Sequence, residues 1–201
     1  IVYMFRQQQP HLKIELIEMS TKDQIQALKE GRIDVGFGRL RISDPAIRRV
    51  LLREEPLMLA VHISHHLATD SKGTYFADIE DENLFLYPSH PKPNFSTQVR
   101  HLFSEHGLDP KNLKEVREIQ LALGLVAAGE GVCIVPESAK TIQLPNLIYI
   151  PLLDSSAKSP IFMAIRCMDE SENIRSLFDC IYQVYDLEGF QYDRASFTTI
   201  Y

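Results

Sequence analysis

The chain has 201 residues, of which 45% are hydrophobic, so it can bury a sizeable core in one large domain or in two smaller lobes. Its formal net charge of −6 argues against direct binding to a nucleic-acid backbone, because affinity for phosphates depends on clustered Lys and Arg. No apolar run approaches the ~18 residues of a membrane span, and no leader peptide is evident, so we expect a soluble cytoplasmic domain.

The first predicted elements are a strand, a helix and a second strand. Alternating apolar residues at 12–18 favour a strand, and helical spacing favours a helix over about 21–30 with Ser20 as its N-cap. The second strand is predicted at 33–37. This order predicts a βαβ unit of a parallel sheet, in which ligands bind at the carboxyl ends of the strands. Residues 1–9 are typical of the second half of an amphipathic helix, so we expect more chain before them.

Strands and helices continue to alternate, which predicts the α/β class. Residues 88–93 hold three prolines, too many for either regular element, and the tail at 190–201 has no periodicity and is predicted to be irregular. The remaining strands are predicted at 57–61, 84–87, 114–119, 132–135, 147–152 and 161–166. The remaining helices are predicted at 77–82, 94–107, from 121 to the glycines at 129 and 131, and 174–185.

Two segments with similar glycine turns carry a family resemblance. Residues 121–136 read as an apolar helix that ends at Gly129 or Gly131 and continues directly into a buried strand, and residues 27–39 place a glycine and an aspartate before a strand. Together they resemble the effector-binding domain of LysR-type transcriptional regulators, over nearly the whole chain.

The resemblance implies a fold of two Rossmann-like lobes hinged by crossover strands, similar to type II periplasmic binding proteins. One lobe would hold 1–55 plus 160–201 and the other 56–159, with the first strand missing from the chain. An N-terminal winged helix-turn-helix, which lies outside this chain, would supply DNA binding. The resemblance also implies a tetramer, with surfaces around Leu28 and 48–53 buried between subunits.

The residues themselves point to two helix N-termini as a binding site. Ser20 and Thr21 begin one predicted helix, and Asn94, Phe95 and Ser96 begin another, with Asn94 or Ser96 as its cap. The start of a helix leaves backbone amides unpaired and carries about half a positive charge, so a carboxylate placed there is stabilised. The hydroxyls of Thr21 and Ser96 would add donors. The alternative is that these residues only cap their helices.

A further charge would come from Arg39, at the end of the predicted strand 33–37, because a guanidinium binds a carboxylate in bidentate fashion. The segments 18–22, 37–41 and 86–97 resemble the muconate- and benzoate-responsive members of the family. That likeness implies that the dicarboxylate cis,cis-muconate lies between the lobes. Its contacts would come from Thr21, Arg39, Pro93, Asn94 and Phe95.

The chain departs from the family pattern at two points. A loop that would contribute a serine to the site is absent, and Ser20 stands where the family often has glycine. The resemblance also implies a second acid site, for benzoate, at Arg53 and Tyr185. The alternative for this pair is an arginine whose stem packs on a tyrosine ring.

Other candidate sites are weaker. His62, His65 and His66 match no zinc motif, and no nearby carboxylate or cysteine completes a ligand set, so a surface loop is the preferred interpretation and no metal or cofactor is expected. The Gly129-Glu130-Gly131 turn follows a helix, whereas a dinucleotide-binding turn precedes one. An acidic cluster is expected to be a solvated face. It comprises Asp78, Glu80, Asp81 and Glu82.

Three functions remain open. The leading hypothesis is the inducer-sensing domain of a regulator of aromatic catabolism, which is not an enzyme and reaches promoter DNA only through its N-terminal domain. A solute-binding receptor for a small carboxylate would share the fold. An enzyme would need a nucleophile such as Cys133 or a histidine; however, Cys133, Cys167 and Cys180 are odd in number and far apart, which is typical of buried free thiols.

Overall fold

The computed structural model describes residues 1–69 and 72–193. In chain order the helices are α1 (Val2–Gln8), α2 (Thr21–Lys29), α3 (Phe95–Glu105), α4 (Ile119–Ala127) and α5 (Glu172–Glu188). The strands are β1 (Gly36–Gly38), β2 (Ile47–His62), β3 (Asn83–Leu86), β4 (Asn112–Glu115), β5 (Val132–Pro136), β6 (Leu147–Pro151) and β7 (Lys158–Arg166). Short 3₁₀ helices lie at His66–Thr69, Phe76–Ile79 and Glu137–Thr141. None of the described helices is long and apolar enough to cross a bilayer.

The chain divides into two compact units, which are described separately. The first unit holds residues 1–54 together with those from 160 onward, and the second holds residues 55–159. Strands β2 and β7 each contribute residues to both units. The mixture of sheet and helices in both units agrees with the predicted α/β class.

In the first unit, α5 packs on the sheet through one apolar face. Strand β1 pairs antiparallel with β7, placing Phe37 opposite Met163. The spacing of Phe178, Ile181 and Tyr185 along α5 puts them on one side of the helix, where they join the core with strand residues such as Val50. The helix ends at Gly189, whose φ of 70° is the left-handed conformation that glycine adopts at least cost.

In the second unit, β2 lies in the interior of the sheet and is apolar on both faces. It pairs antiparallel with β5 and β6, while β3 pairs parallel with β4 and β5. Side chains alternate along a strand, so Leu57, Leu59 and Val61 enter the core that contains α3, whereas Met58 and Ala60 enter the core that contains α4. Burial on both faces explains the unbroken apolar run at 57–61.

A buried carboxylate lies at the start of this apolar run. Glu55 is only 1% exposed, and one of its carboxylate oxygens accepts a hydrogen bond from the amide of Ser138 at 2.8 Å. Ser138 follows β5, and within the pairing of β2 with β5 Leu57 stands opposite Pro136. This polar contact therefore lies beside the place where the two strands come together.

The turn between α4 and β5 requires glycine at position 131. A Cβ atom there would lie 2.2 Å from the carbonyl oxygen of Asn83, and the φ of Gly131 is +157°. Glycine allows the chain to pass directly against the start of β3, so that Val132 can pair with Leu84. The helix–glycine–strand pattern seen in the sequence is thus a structural turn.

Several predicted elements differ in the structure. Residues 12–18 form no strand, and Leu16 and Ile17 are 70% and 51% exposed. Among the described residues no strand pairs with this segment, so alternation alone does not produce a ladder. The strand predicted at 33–37 is the shorter β1, which covers Gly36–Gly38. It pairs antiparallel with β7, so the prediction of a parallel βαβ unit is wrong here.

Smaller differences concern where elements begin and end. The strand predicted at 114–119 is β4, which ends at Glu115, and Ile119 already begins α4. The weak helix predicted at 77–82 is the 3₁₀ helix Phe76–Ile79. Strand β2 begins ten residues before the predicted 57, because its charged first half still pairs in the sheet. Part of the tail predicted to be irregular, from 194 onward, lies outside the described residues.

Candidate anion-binding site

The N-terminus of α2 has the geometry that the sequence predicts. The hydroxyl of Ser20 accepts a hydrogen bond from the amide of Asp23 at 3.2 Å and donates to the Asp23 carboxylate at 2.6 Å. Within the described residues, the amides of Thr21 and Lys22 make no hydrogen bond. Two donors at the positive end of the helix therefore remain available to an anion.

The end of β1 lies against the start of α2. A Cβ atom on Gly38 would lie 3.1 Å from the hydroxyl oxygen of Thr21, so glycine allows this close approach. The side-chain amide of Gln24 donates to the carbonyls of Met19, at 3.2 Å, and Phe37, at 2.9 Å. Arg39 follows Gly38 directly, and the structure thus brings the predicted residues Thr21 and Arg39 to the same edge of the first unit.

The segment after Arg39 is held by a second arginine that the sequence analysis did not identify. The guanidinium of Arg49 on β2 donates to the carbonyls of Leu40 and, at 3.0 Å, Ile42. It also lies over the ring of Phe162, with its central carbon 4.3 Å from the ring centroid. Burial, followed by the charge of Arg41, lowers the pKa of Arg49 from its usual high value. Arg49 therefore fixes the backbone that leads away from Arg39.

Replacing Arg49 with methionine should destabilise the domain by about 1–2 kcal/mol, because the two carbonyls at 40 and 42 lose a charged donor. The amides of residues 40–42 should exchange hydrogen faster than in the parent chain. Urea denaturation and hydrogen exchange measure the two effects. Arg41→Met is the matched control, since Arg41 lies farther from Phe162, at 5.8 Å, and should change both quantities less. Equal effects in the two variants would contradict this role of Arg49.

The N-terminus of α3 is organised by Asn94. Its side-chain oxygen accepts hydrogen bonds from the amide of Thr97, at 3.2 Å, and from the buried hydroxyl of Ser96, at 2.8 Å. Its side-chain nitrogen donates to the carbonyls of Pro88 and Pro91, both at 2.7 Å. One side chain therefore caps the helix and ties the proline-rich segment to it.

The other predicted residues at this helix have distinct environments. Pro93 is exposed, whereas Phe95 is 9% exposed and packs against the ring of Tyr87. Within the described part of the chain, the amides of Phe95 and Ser96 make no hydrogen bond. The Ser96 hydroxyl is used inside the cap, so the donor that Ser96 can offer to an anion is its backbone amide.

The pair predicted as a second acid site is in contact. The guanidinium carbon of Arg53 lies 5.5 Å from the ring centroid of Tyr185 and 4.3 Å from that of Phe190, and Arg53 is 8% exposed. Phe190, which the sequence places in the irregular tail, thus covers the arginine. The side chains of Leu28, Arg48, Arg49 and Arg53 are already buried within this chain.

Comparison with known protein families identifies the domain. The profile of the LysR substrate binding domain matches residues 1–186. The chain belongs to the LysR substrate-binding domain family. Its predicted two-lobed, type II periplasmic-binding-protein-like fold is confirmed by this membership and by the similarity to solved structures of the family.

Similar proteins include the HTH-type transcriptional regulator BenM of Acinetobacter baylyi, which is 60% identical over 191 residues, covering 94% of this chain and 63% of BenM. CatR of Pseudomonas putida is 40% identical over 176 residues, covering 88% of this chain and 60% of CatR. The structure of the BenM effector binding domain with its effector benzoate has a TM-score of 0.93 and 58% identity, covering 96% of this chain and 87% of that one. The chain spans about three fifths of the length of these two regulators.

Membership of this family bears on the functions left open by the sequence. The similar proteins are transcriptional regulators, which confirms the prediction that the chain is not an enzyme. Cys133 is fully buried, and burial raises the pKa of its thiol, so it is a poor nucleophile. The resemblance to the benzoate-responsive members of the family is likewise confirmed.

The acidic cluster lies on the surface as predicted, with Asp78 and Asp81 exposed and Glu80 and Glu82 half-buried, but its members also make specific contacts. Asp78 accepts a hydrogen bond from the amide of Tyr75, Glu80 accepts one from the amide of Asp109, and Asp81 pairs with Lys111. Glu82 faces the histidine loop. Its carboxylate oxygens lie 3.4 Å from Nε2 of His65 and 3.6 Å from Nε2 of His66. The prediction that no carboxylate lies near these histidines is therefore wrong.

Proposed function

We propose that this domain senses the inducer of a LysR-type transcriptional regulator of aromatic degradation, and that the inducer is cis,cis-muconate. The family membership and the 60% identity to BenM support the regulatory role. A structure of the BenM effector binding domain contains the aromatic acid benzoate, which supports a carboxylate as ligand. Muconate carries two carboxylates, matching the presence of one suitable helix N-terminus in each unit.

The observation that carries the proposal is the set of amides left unpaired within the described residues. In the first unit these are Thr21 and Lys22, and Arg39 directly follows Gly38, which lies against Thr21. In the second unit they are Phe95 and Ser96, and Asn94 fixes their orientation. A carboxylate of muconate would accept hydrogen bonds at a helix start of this kind, where the helix dipole would stabilise its negative charge.

In regulation, muconate would change the relative populations of the resting and the activating arrangements of the protein. Binding changes the activity of a regulator only if the ligand has a higher affinity for the activating arrangement than for the resting one, because equal affinities shift nothing. We propose that the whole protein is a cytoplasmic homotetramer. An N-terminal helix-turn-helix, outside these residues, would contact promoter DNA, as the HTH-type designations of the similar regulators suggest.

Calorimetric titration with cis,cis-muconate and with its dimethyl ester tests the proposal. The dicarboxylate should bind, and the neutral ester should not, because it cannot make charge-assisted hydrogen bonds to the two helix ends. Equal affinity for both compounds would contradict a site built on carboxylate recognition. Recovery of unchanged muconate after long incubation with the protein would agree with sensing, whereas turnover would contradict it.

Arg53 and Tyr185 are proposed as the second acid site, for benzoate. Replacing Arg53 with methionine should weaken benzoate binding by about tenfold or more, because the carboxylate loses a charged donor in a buried place. Muconate binding should remain unchanged. The exposed Arg32, which pairs with Glu30 at 2.6 Å, provides the control variant Arg32→Met. If benzoate affinity survives Arg53→Met, the pair is only a packed arginine on two aromatic rings.

A further inference from the structure

We propose that His65, His66 and Glu82 form a binding site for a divalent ion of the Zn²⁺, Ni²⁺ and Cu²⁺ class. Their candidate ligand atoms all lie within 4.8 Å of one another. Both imidazoles direct Nε2 at the same carboxylate, one at each oxygen, at 3.4 Å and 3.6 Å. All three residues belong to the second unit.

These distances suit a bound ion. Ligand atoms about 2.0–2.1 Å from a tetrahedral ion are roughly 3.3 Å from each other. The two histidine–glutamate distances are close to that value. The side chain of His66 is 67% exposed, so it can rotate to complete the set without displacing any core residue. Solvent would occupy the fourth position.

The backbone supporting these side chains is well anchored. His65 and His66 lie where the chain leaves β2 and enters a 3₁₀ helix, and the amide of His65 donates to the carbonyl of His62 at 2.8 Å. The next residue, Leu67, packs against the hydrophobic core. Glu82 immediately precedes β3. The ligands therefore come from fixed ends of two regular elements, which lowers the entropy lost on binding.

The ligand types select the class of ion. Two imidazole nitrogens and one carboxylate favour Zn²⁺, Ni²⁺ or Cu²⁺ over Mg²⁺ and Ca²⁺, which prefer oxygen ligands. The amide of Leu67 donates to Nδ1 of His65 at 3.3 Å, which places the proton of the neutral ring on Nε2. Binding of the ion moves that proton to Nδ1 and breaks this long hydrogen bond.

Calorimetric titration of the untagged chain with ZnCl₂ tests the site. We expect one equivalent of Zn²⁺ to bind, and the melting temperature to rise by roughly 5 °C when the free ion exceeds its Kd by ~100-fold. His66→Ala and Glu82→Gln should each weaken binding by about tenfold or more, since each removes a direct ligand. Both side chains are at least partly exposed, so neither variant should prevent folding.

His101→Ala is the matched control. His101 lies 3.3 Å from Glu105 on the surface of α3, so it offers a similar contact with a carboxylate but lacks a second imidazole. This variant should bind Zn²⁺ as the parent chain does. The proposal is overturned if the parent chain binds no stoichiometric Zn²⁺, or if His66→Ala binds it equally well. It is also overturned if only Cys167→Ser abolishes binding, because the ion would then be held by that thiol.

Discussion

Replacing Arg39 with alanine should weaken the binding of cis,cis-muconate by about 10- to 100-fold. A hydrogen bond to a charged group contributes about 1.5–3 kcal/mol, which corresponds to this range of affinities. Arg39 follows the glycine that approaches Thr21, so its loss would remove the full positive charge beside the α2 amides. Calorimetric titration of the parent chain and the variant at one ionic strength measures the difference.

Two further variants separate charge from geometry. Arg39→Lys keeps the charge but loses the planar fork that binds a carboxylate in bidentate fashion, so its affinity should fall between the other two. Arg41→Ala removes the same charge two residues later and should have a smaller effect. An Arg39→Ala variant that binds muconate as tightly as the parent chain would remove Arg39 from the proposed site.

Replacing Asn94 with alanine should destabilise the domain by about 2–4 kcal/mol and abolish muconate binding. An N-cap contributes about 1 kcal/mol, and each of the two part-buried hydrogen bonds to a backbone carbonyl contributes about 0.5–1.5 kcal/mol. Asn94 makes both kinds of contact, because it caps α3 and donates to Pro88 and Pro91. Urea denaturation measures the stability, and titration below the unfolding transition measures the binding.

Asn94→Asp distinguishes the two functions of the side chain. Aspartate keeps the oxygen that caps Thr97, but its second oxygen replaces the nitrogen that donates to the carbonyls of Pro88 and Pro91. The domain should therefore lose at least as much stability as with alanine, although the cap itself is retained. It adds a negative charge where the ligand carboxylate is proposed to bind, so muconate affinity should still fall strongly. If Asn94→Asp bound muconate normally, Asn94 would be a helix cap and nothing more, which is the alternative considered from the sequence.

Local sequence signals predicted the helix starts well. Ser20 caps α2 as expected, and Asn94, one of the two candidate caps, caps α3, because capping depends on residues only two or three positions away. The buried strand β5 and the glycine turn before it were also predictable, since a continuous apolar run next to glycine has few other structures. The sequence therefore located the N-termini of α2 and α3, the two helix starts of the proposed site.

Contacts between distant parts of the chain were not predictable in this way. Nothing near Arg49 in the sequence indicates that it holds the backbone of residues 40–42, and nothing near His65 points to Glu82, seventeen positions later. The segment 12–18 shows the opposite error. Apolar and polar residues do alternate in this segment. However, a strand forms only when a neighbouring strand pairs with its backbone N–H and C=O groups, and the periodicity of one segment does not show whether such a strand is present.

The buried carboxylate of Glu55 has a consequence for how β2 aligns with β5. A one-residue slip of an ordinary half-buried strand exposes its apolar side chains to water, and this penalty enforces the correct alignment. Residues 57–61 are apolar on both faces of the sheet, so a one-residue slip there would move apolar side chains from one hydrophobic core to the other and would expose none of them to water. Such a slip would break the hydrogen bond from the Ser138 amide to the buried side chain of Glu55, and losing a hydrogen bond to a buried polar group is costly. The contact between Glu55 and Ser138 thus favours one register of β2 against β5.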